Sequence, residues 1–255
     1  MVTWARRRQF NYLAGVLAFF AVIGLILYFV YKPAPTCFDD KKNQNEIGVD
    51  CGGVCTKACV EQIKSLKIFW TRALKVDSGW YDLVAQVENL NENFGTRKID
   101  YTFYLYDADN VLLGKRAGST FVNSGERFVI FEGRVDVGDR EVKKVFLEFD
   151  QANTWERIKP LEKKITLEQQ EFTNTPSPLL QLVANNTSLQ KVDNLQIIAV
   201  LYDVNKNALG ASATIIDQIE PATFQKAYLT WPTTFADPVT TFETFWRLNS
   251  FELSD

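Results

Sequence analysis

Four cysteines, Cys37, Cys51, Cys55 and Cys59, fall within 23 residues with the spacing C-x13-C-x3-C-x3-C. Two chemistries suit four thiols packed this closely. One is a pair of disulfides, for which four cysteines allow three connectivities that sequence alone leaves open. The other is zinc held by four thiolates, but zinc sites are usually built from C-x2-C or C-x4-C pairs, and this spacing has neither. A redox centre would need a C-x-x-C pair, which is also absent. Disulfides are therefore the expected state, with the pairing undetermined. They would order a segment too short to bury a core, each bridge contributing on the order of 2–4 kcal/mol.

Hard oxygen donors are interleaved with these sulfurs. Asp39, Asn43, Glu46 and Asp50 recur at steps of three and four residues and run into Gly52-Gly53. Carboxylate and amide oxygens on a short glycine-bearing loop are what calcium requires, although the order D-x-D-x-D-G of an EF-hand is missing. These four residues are candidate calcium ligands; the competing reading is a solvated acidic loop with ordinary turns, and otherwise no cofactor is expected. The stretch resembles a small D-x-x-x-N-x-x-E-x-x-x-D-C-G-G-x-C-x-x-C module found beside bacterial surface domains, except that three residues rather than two separate Cys55 from Cys59.

The chain contains no histidine. That excludes Ser-His-Asp and Cys-His catalysis, histidine-ligated zinc and histidine-based pH switching. No pair of carboxylates shows a spacing that marks general acid and base, so no catalytic residue is assigned and the expectation is a protein that is not an enzyme.

What positions the cysteines is the element before them. Residues 12–31, YLAGVLAFFAVIGLILYFVY, form an uninterrupted apolar run preceded by Arg6, Arg7 and Arg8. About twenty residues at a rise of 1.5 Å span the roughly 30 Å hydrocarbon core of a bilayer. A soluble core helix would show a polar face. A cleaved signal peptide would have a shorter apolar region and a small-x-small site, where this chain has Tyr28, Phe29 and Tyr31. The run reads as a transmembrane signal anchor. Three arginines before it, against Lys32 after it, place residues 1–11 in the cytoplasm and the rest outside the cell membrane. Trp4, Tyr12, Tyr28 and Tyr31 are candidate interfacial anchors, and Ala14, Ala18, Ala21 and Gly24 form a candidate helix-packing stripe. Beyond residue 32 the chain holds 24 Lys and Arg against 31 Asp and Glu, a net of −7. An acidic exterior disfavours nucleic acid as a partner.

The remainder repeats itself. An offset of 96 residues without gaps aligns 67–157 with 163–253, pairing Leu105-Tyr106-Asp107 with Leu201-Tyr202-Asp203 and Leu113-Gly114 with Leu209-Gly210. Flanking pairs at the same offset are Leu83, Val87 and Asn89 with Leu179, Val183 and Asn185, and Phe128, Phe146 and Phe149 with Phe224, Phe242 and Phe245. Two copies of one domain are implied, at 65–157 and 163–255, after a cysteine-rich segment at 33–62. Each copy reads as strands. Tyr101, Phe103 and Leu105 alternate along one side of a strand, as do Leu195, Ile197, Ala199 and Leu201 in the second copy, the pattern of a half-buried strand. Asp107 and Asp203 then open turn-rich stretches that predict hairpins. Short strands at 8–12-residue intervals predict an antiparallel sandwich of about seven strands per copy, joined by a short charged connector at 158–164. A short helix is predicted at 55–64. Asn185 and Asn186 each begin an N-x-S/T triplet, read as coincidental.

Residues 103–107, Phe-Tyr-Leu-Tyr-Asp, spell an F-x-L-Y-D signature, and the second copy keeps Leu201-Tyr202-Asp203 with Ala199 in place of the phenylalanine. Both copies resemble FxLYD-type domains, immunoglobulin-like sandwiches of prokaryotic envelope proteins. The resemblance implies a mainly β fold, two tandem antiparallel immunoglobulin-like β-sandwiches behind one transmembrane α-helix, in an extracytoplasmic setting. It carries no catalytic residues. The side chains themselves suggest a structural reason for the signature: leucine enters the core, tyrosine covers the sheet edge and aspartate caps the turn. The expected function is a binding or scaffolding module at the cell envelope. Another envelope protein, a surface glycan or further copies of the chain are the candidate partners, with Trp80 and Trp231 as candidate contacts against the alternative of core or rim packing. The competing functions are an accessory or spacer subunit of a membrane complex and a carboxylate-based envelope enzyme.

Overall fold

A charge-free apolar stretch satisfies all its backbone hydrogen bonds internally only as a helix, whereas alternating segments broken by Asn, Asp and Gly turns pair as strands. The computed structural model of the chain, which describes residues 4–32, 34–150, 154–161 and 164–252, has this division: one long helix, then antiparallel strands. Its residues fall into two units, Met1–Cys55 and Thr56–Asp255.

In the first unit, helix α1 (Trp4–Tyr31) extends beyond the apolar run to include Arg6, Arg7 and Arg8. Its described side chains are exposed on every side apart from a half-buried Ile23, and it carries no acidic residue. Over Arg6–Tyr31 it is long and apolar enough to cross a membrane. The side chain of Trp4 lies outside the described residues. A loop follows, with left-handed backbone at Asp40, Gln44, Asn45 and Asp50 and at Gly52 and Gly53. A Cβ on Gly53 would meet the Asn45 carbonyl, so only glycine fits there.

The second unit contains both repeats. Strands β1 (Lys67–Asp77), β2 (Trp80–Glu88) and β5 (Arg127–Asp136) form one sheet in the order β1-β2-β5. Facing it, β3 (Phe94–Tyr106), β4 (Leu112–Val122) and β6 (Lys144–Phe149) form β4-β3-β6, and the two-residue β7 (Glu156–Arg157) pairs with the start of β3. The second copy repeats this with β8 (Ile165–Thr173), β9 (Leu179–Asn186) and β12 (Phe224–Thr230) in one sheet, and β10 (Val192–Tyr202), β11 (Ala208–Ile219) and β13 (Thr241–Arg247) in the other. First, second and fifth strands against fourth, third and sixth is an immunoglobulin-like sandwich arrangement. Among the described residues the first copy has seven strands, counting the two-residue β7, and the second has six. The predicted helix at 55–64 is only a single 3-10 turn, Val60–Gln62.

Each sandwich has its own core. Leu83, Phe103, Leu105 and Phe128 are buried in the first, and Leu180, Leu182, Leu201 and Leu229 in the second. A third apolar cluster joins them. Leu74, Val84 and Val129 from the β1-β2-β5 sheet pack with Ile198, Val200 and Ala211 from the β11-β10-β13 sheet. The four sheets thus stack as four layers, and β2 and β10 are buried on both faces. The half-buried reading of the second copy's strand is corrected accordingly: Ile198 and Val200 are as buried as Ile197 and Leu201. The covering surface comes from the other copy, which local alternation does not encode.

The structure also corrects the gap-free alignment. The offset of 96 holds for β3 and β10, where Leu105 faces Gly114 and Leu201 faces Gly210. Elsewhere it is 97. Val87 pairs with Phe128 as Ala184 pairs with Gln225, and Tyr101 with Phe149 as Ile197 with Trp246. Phe224, aligned by sequence with core Phe128, is instead 59% exposed, because a one-residue slip moves a side chain to the opposite face of a strand.

Candidate functional site

All four cysteines are disulfide-bonded, and Cys37 pairs with Cys55. The oxygen donors between them serve the loop's own backbone. Asp50 accepts from the amides of Asp39 (3.1 Å) and Asp40 (2.8 Å). Asp39 accepts from the Lys41 amide (3.1 Å) and the Asn43 side-chain amide (2.8 Å). These bonds, the one from Asn43 first, hold the Asp39 carboxyl below its usual range. Buried Glu46 accepts from the amides of Asn43 (3.1 Å) and Asp50 (3.3 Å), and its other oxygen lies 3.1 Å from the Cys55 sulfur. The carboxylates of Asp39, Glu46 and Asp50 thus act as turn caps in one network, which Asn43 joins only as a donor, its Oδ1 buried without a hydrogen-bond partner among the described residues. Among the described residues, the group of three potential ligands within 4.8 Å of one another is Cys37, Glu46 and Cys55. Its two sulfurs are already bonded to each other, so it does not offer the thiolates a metal site would need.

Thr56 onward belongs to the second unit: the Ala58 amide donates to Trp155 (2.8 Å) and the Arg157 amide to Thr56 (2.7 Å), an isolated antiparallel bridge between Lys57 and Glu156 of β7.

In the second unit the densest polar chemistry lies at the junction of the sandwiches. Arg247, at the end of β13, is 3% exposed. Its guanidinium donates to Glu126 (2.9 and 3.2 Å), the Thr120 hydroxyl (2.9 Å) and the Phe121 carbonyl (2.6 Å), all in the first copy. It also sits 4.2 Å from the ring centre of Phe121 and 4.1 Å from that of Phe128. A planar fork of donors can satisfy all these partners at once, which an ammonium cannot. Beside it, Asn123 donates to the Leu248 carbonyl (2.9 Å) and accepts from the Ser250 hydroxyl (2.6 Å) and amide (3.1 Å). Sequence reading takes residues 122–126, Val-Asn-Ser-Gly-Glu, as a turn equivalent to the second copy's Ile219-Glu-Pro-Ala. The signal it passed over is the acid Glu126 in that loop, for which the second copy's turn has no arginine-binding counterpart.

A groove of about 390 Å³ opens at this junction, with Phe121, Ile198, Ile215 and Arg247 among its lining residues. Tyr101 reaches it and donates to Glu132 (2.8 Å), which also accepts from Arg116 (2.7 Å). Burial, then the Glu132 hydrogen bond, pushes the Tyr101 hydroxyl far above its ordinary value. Gly118 leaves room for this pair, since a Cβ there would fall 2.6 Å from Glu132 Oε1. Each of these charged groups is spent on another protein group, so the groove is built for rigidity.

The leucine and aspartate of the signature lie where their side-chain chemistry predicts, whereas its tyrosine stands on the central strand of each sheet rather than at an edge. Leu105 and Leu201 are fully buried. Asp107 accepts from the amides of Asp109 (2.9 Å) and Val111 (2.8 Å), and Asp203 from those of Asn205 (2.8 Å) and Asn207 (2.7 Å). Tyr106 packs edge-on against Phe146 (5.8 Å). Of the candidate contact residues, Trp231 is core: it is 7% exposed and packs with Phe172 and Phe235. Trp80 is half-buried, with Arg134 stacked 5.4 Å from its ring centre. Buried Asn186, part of the N-x-S/T stretch, donates to the carbonyls of Gln190, Ile219 and Glu220. Asn89 does the same work in the first copy through Phe94 and Asn123.

No family model and no curated relative matches the chain. Among solved structures, red sea bream transglutaminase is similar at 12% identity and a TM-score of 0.24, over 73% of this chain and 29% of that one. A likeness at that level carries no argument about this chain.

Proposed function

We propose that the protein is a single-pass, membrane-anchored envelope protein, with its N-terminus in the cytoplasm and its two sandwiches outside. In this reading the sandwiches are FxLYD-type domains and act without catalysis, as a rigid scaffolding or binding module for other envelope components. The observation that carries the reading is the succession of a membrane-length helix and a set of oxidised cysteines that begins a few residues later. Disulfides persist in oxidising compartments, and the arginines of α1 favour the cytoplasmic side. The locked junction adds support for a scaffold, because a partner would meet two sandwiches held in one orientation.

Intact cells treated with a membrane-impermeant protease test the reading. The sandwich region should be released, and the cysteines should react with a thiol reagent only after reduction. Cysteines that label without reduction, and only in permeabilised cells, would overturn it.

A further inference from the structure

Two N-x-S/T triplets overlap in Asn185-Asn186-Thr187-Ser188, and the fold treats them differently. Asn186 is 2% exposed, and its side-chain nitrogen already donates to the carbonyls of Gln190 (2.7 Å), Ile219 (3.2 Å) and Glu220 (3.1 Å). A group attached to that nitrogen would break these bonds and enter the core. Asn185 precedes it on β9 and so stands on the outward side of the β8-β9-β12 sheet. Thr166 is opposite it on one neighbouring strand and Phe224 on the other. Its side-chain amide makes no hydrogen bond to any described residue. Two residues on, exposed Thr187 supplies the hydroxyl of the triplet. We infer that Asn185 carries an N-linked glycan.

The first copy shows what sets this position apart. At the offset of 97, Glu88 stands where Asn185 does and Arg127 where Phe224 does. Glu88 and Arg127 close an ion pair of 2.8 Å across their strands. The second copy instead has an uncharged amide beside a phenylalanine that is 59% exposed. Directly opposed side chains on adjacent strands have Cβ atoms about 5 Å apart. A sugar joined to Asn185 therefore lies over the Phe224 ring, whose negative face suits the C–H side of a pyranose. The donor is a sugar chain linked to a polyprenyl phosphate, used by an extracytoplasmic transferase that reads the N-x-S/T triplet. The Asn185 nitrogen loses a proton and bonds to the anomeric carbon of the sugar. The bond from that carbon to the phosphate oxygen breaks, and the lipid phosphate leaves. Asn185 is backbone-paired on both sides in the finished sheet, so transfer takes place on the exported chain before β12 pairs with β9.

The glycan rests on the proposed location of the sandwiches outside the membrane, and the test keeps the two apart. Intact cells that natively produce the chain are treated with an impermeant protease, and peptides spanning Asn185 are weighed by mass spectrometry. The released fragment should carry the added mass of sugars on Asn185. Asn185→Gln should abolish that mass. Thr187→Ala should abolish it too, because it destroys the first triplet while leaving Asn186-x-Ser188 intact. In melting curves the gap between the modified chain and N185Q should vanish in an F224A background. A gap unchanged there would remove Phe224 from the site. An unmodified Asn185 in the released fragment would overturn the glycan and leave the location standing. A chain that the protease reaches only in permeabilised cells, with Asn185 unmodified, would overturn both. Sugar that survives T187A would sit on Asn186 and would also overturn the inference.

Discussion

Strands β3 and β10 occupy the same place in two copies of one fold, and both present a buried row to their own core. They differ on the other face. β3 turns Thr102, Tyr104 and Tyr106 outward, whereas β10 turns Ile198, Val200 and Tyr202 into the junction. Neighbouring strands follow suit: Lys115 on β4 stands where Ala211 stands on β11, and Glu148 on β6 where Phe245 stands on β13. A change in every second residue thus decides which sheet lies in the middle of the stack and which ends it. Repeat arrays are bounded in this way, by end units whose outer faces are polar.

The sharpest test places one charge on each version of the face. Ile198→Asp should cost about 3–5 kcal/mol, since a carboxylate buried at the junction has no partner. Thr102→Asp, at the equivalent position, should change stability by less than about 0.5 kcal/mol. Urea unfolding of the detergent-solubilised chain measures both, and equal losses would break the comparison. Arg247→Ala comes next, at about 3 kcal/mol, because it strands the Glu126 carboxylate against the first sandwich. It should also split a single unfolding transition into two, visible by calorimetry. A merely local role for Arg247 would leave one transition. Asp107→Ala should cost about 1 kcal/mol through its lost turn cap, with the junction intact.

The smallest effect is one of sign. Asp82, at the junction, has its carboxyl raised above the usual range, first by burial and against a hydrogen bond from the Arg134 amide (2.8 Å). A raised value contributes stability below the unfolded-state pKa that is lost as pH rises through the folded one. Asp203, on an exposed turn, is lowered, first by the side-chain hydrogen bond from Asn207. Its contribution is present above the unfolded-state pKa and fades as pH falls through the folded one. Melting curves from pH 7 to pH 3 should show the loss caused by Asp203→Asn shrinking toward acid. Any advantage of Asp82→Asn over the wild type at neutral pH should shrink likewise. The two differences from wild type thus start with opposite signs and converge; a shared sign at neutral pH would refute the assignment.

Much of this was legible in the residues. The run at 12–31 admits only a helix, and alternation around Phe103 and Leu105 admits only a half-buried strand. Asp107 and Asp203 announced their turns. The second burial of β10 was also written, in the continuous run Ile197-Ile198-Ala199-Val200-Leu201, but the alternating leucines and isoleucines masked it. The pairing of Phe224 with Phe128 does not hold in the fold, because a gap-free repeat hides one-residue shifts, which reverse the facing of a side chain. Trp231, a candidate contact whose alternative was core or rim packing, lies in the core.

By itself the sequence determined a membrane-length helix, oxidisable cysteines, β-sandwich repeats and the capped turns that follow their signature, because each depends on periodicity or composition within a few residues. The Cys37–Cys55 pairing, the use of Asp39, Glu46 and Asp50 as caps, the seat of Arg247 between two aromatic rings and the order of the four sheets were decided only in three dimensions. Each depends on groups distant in the chain, and which of them meet is a property of the packed whole.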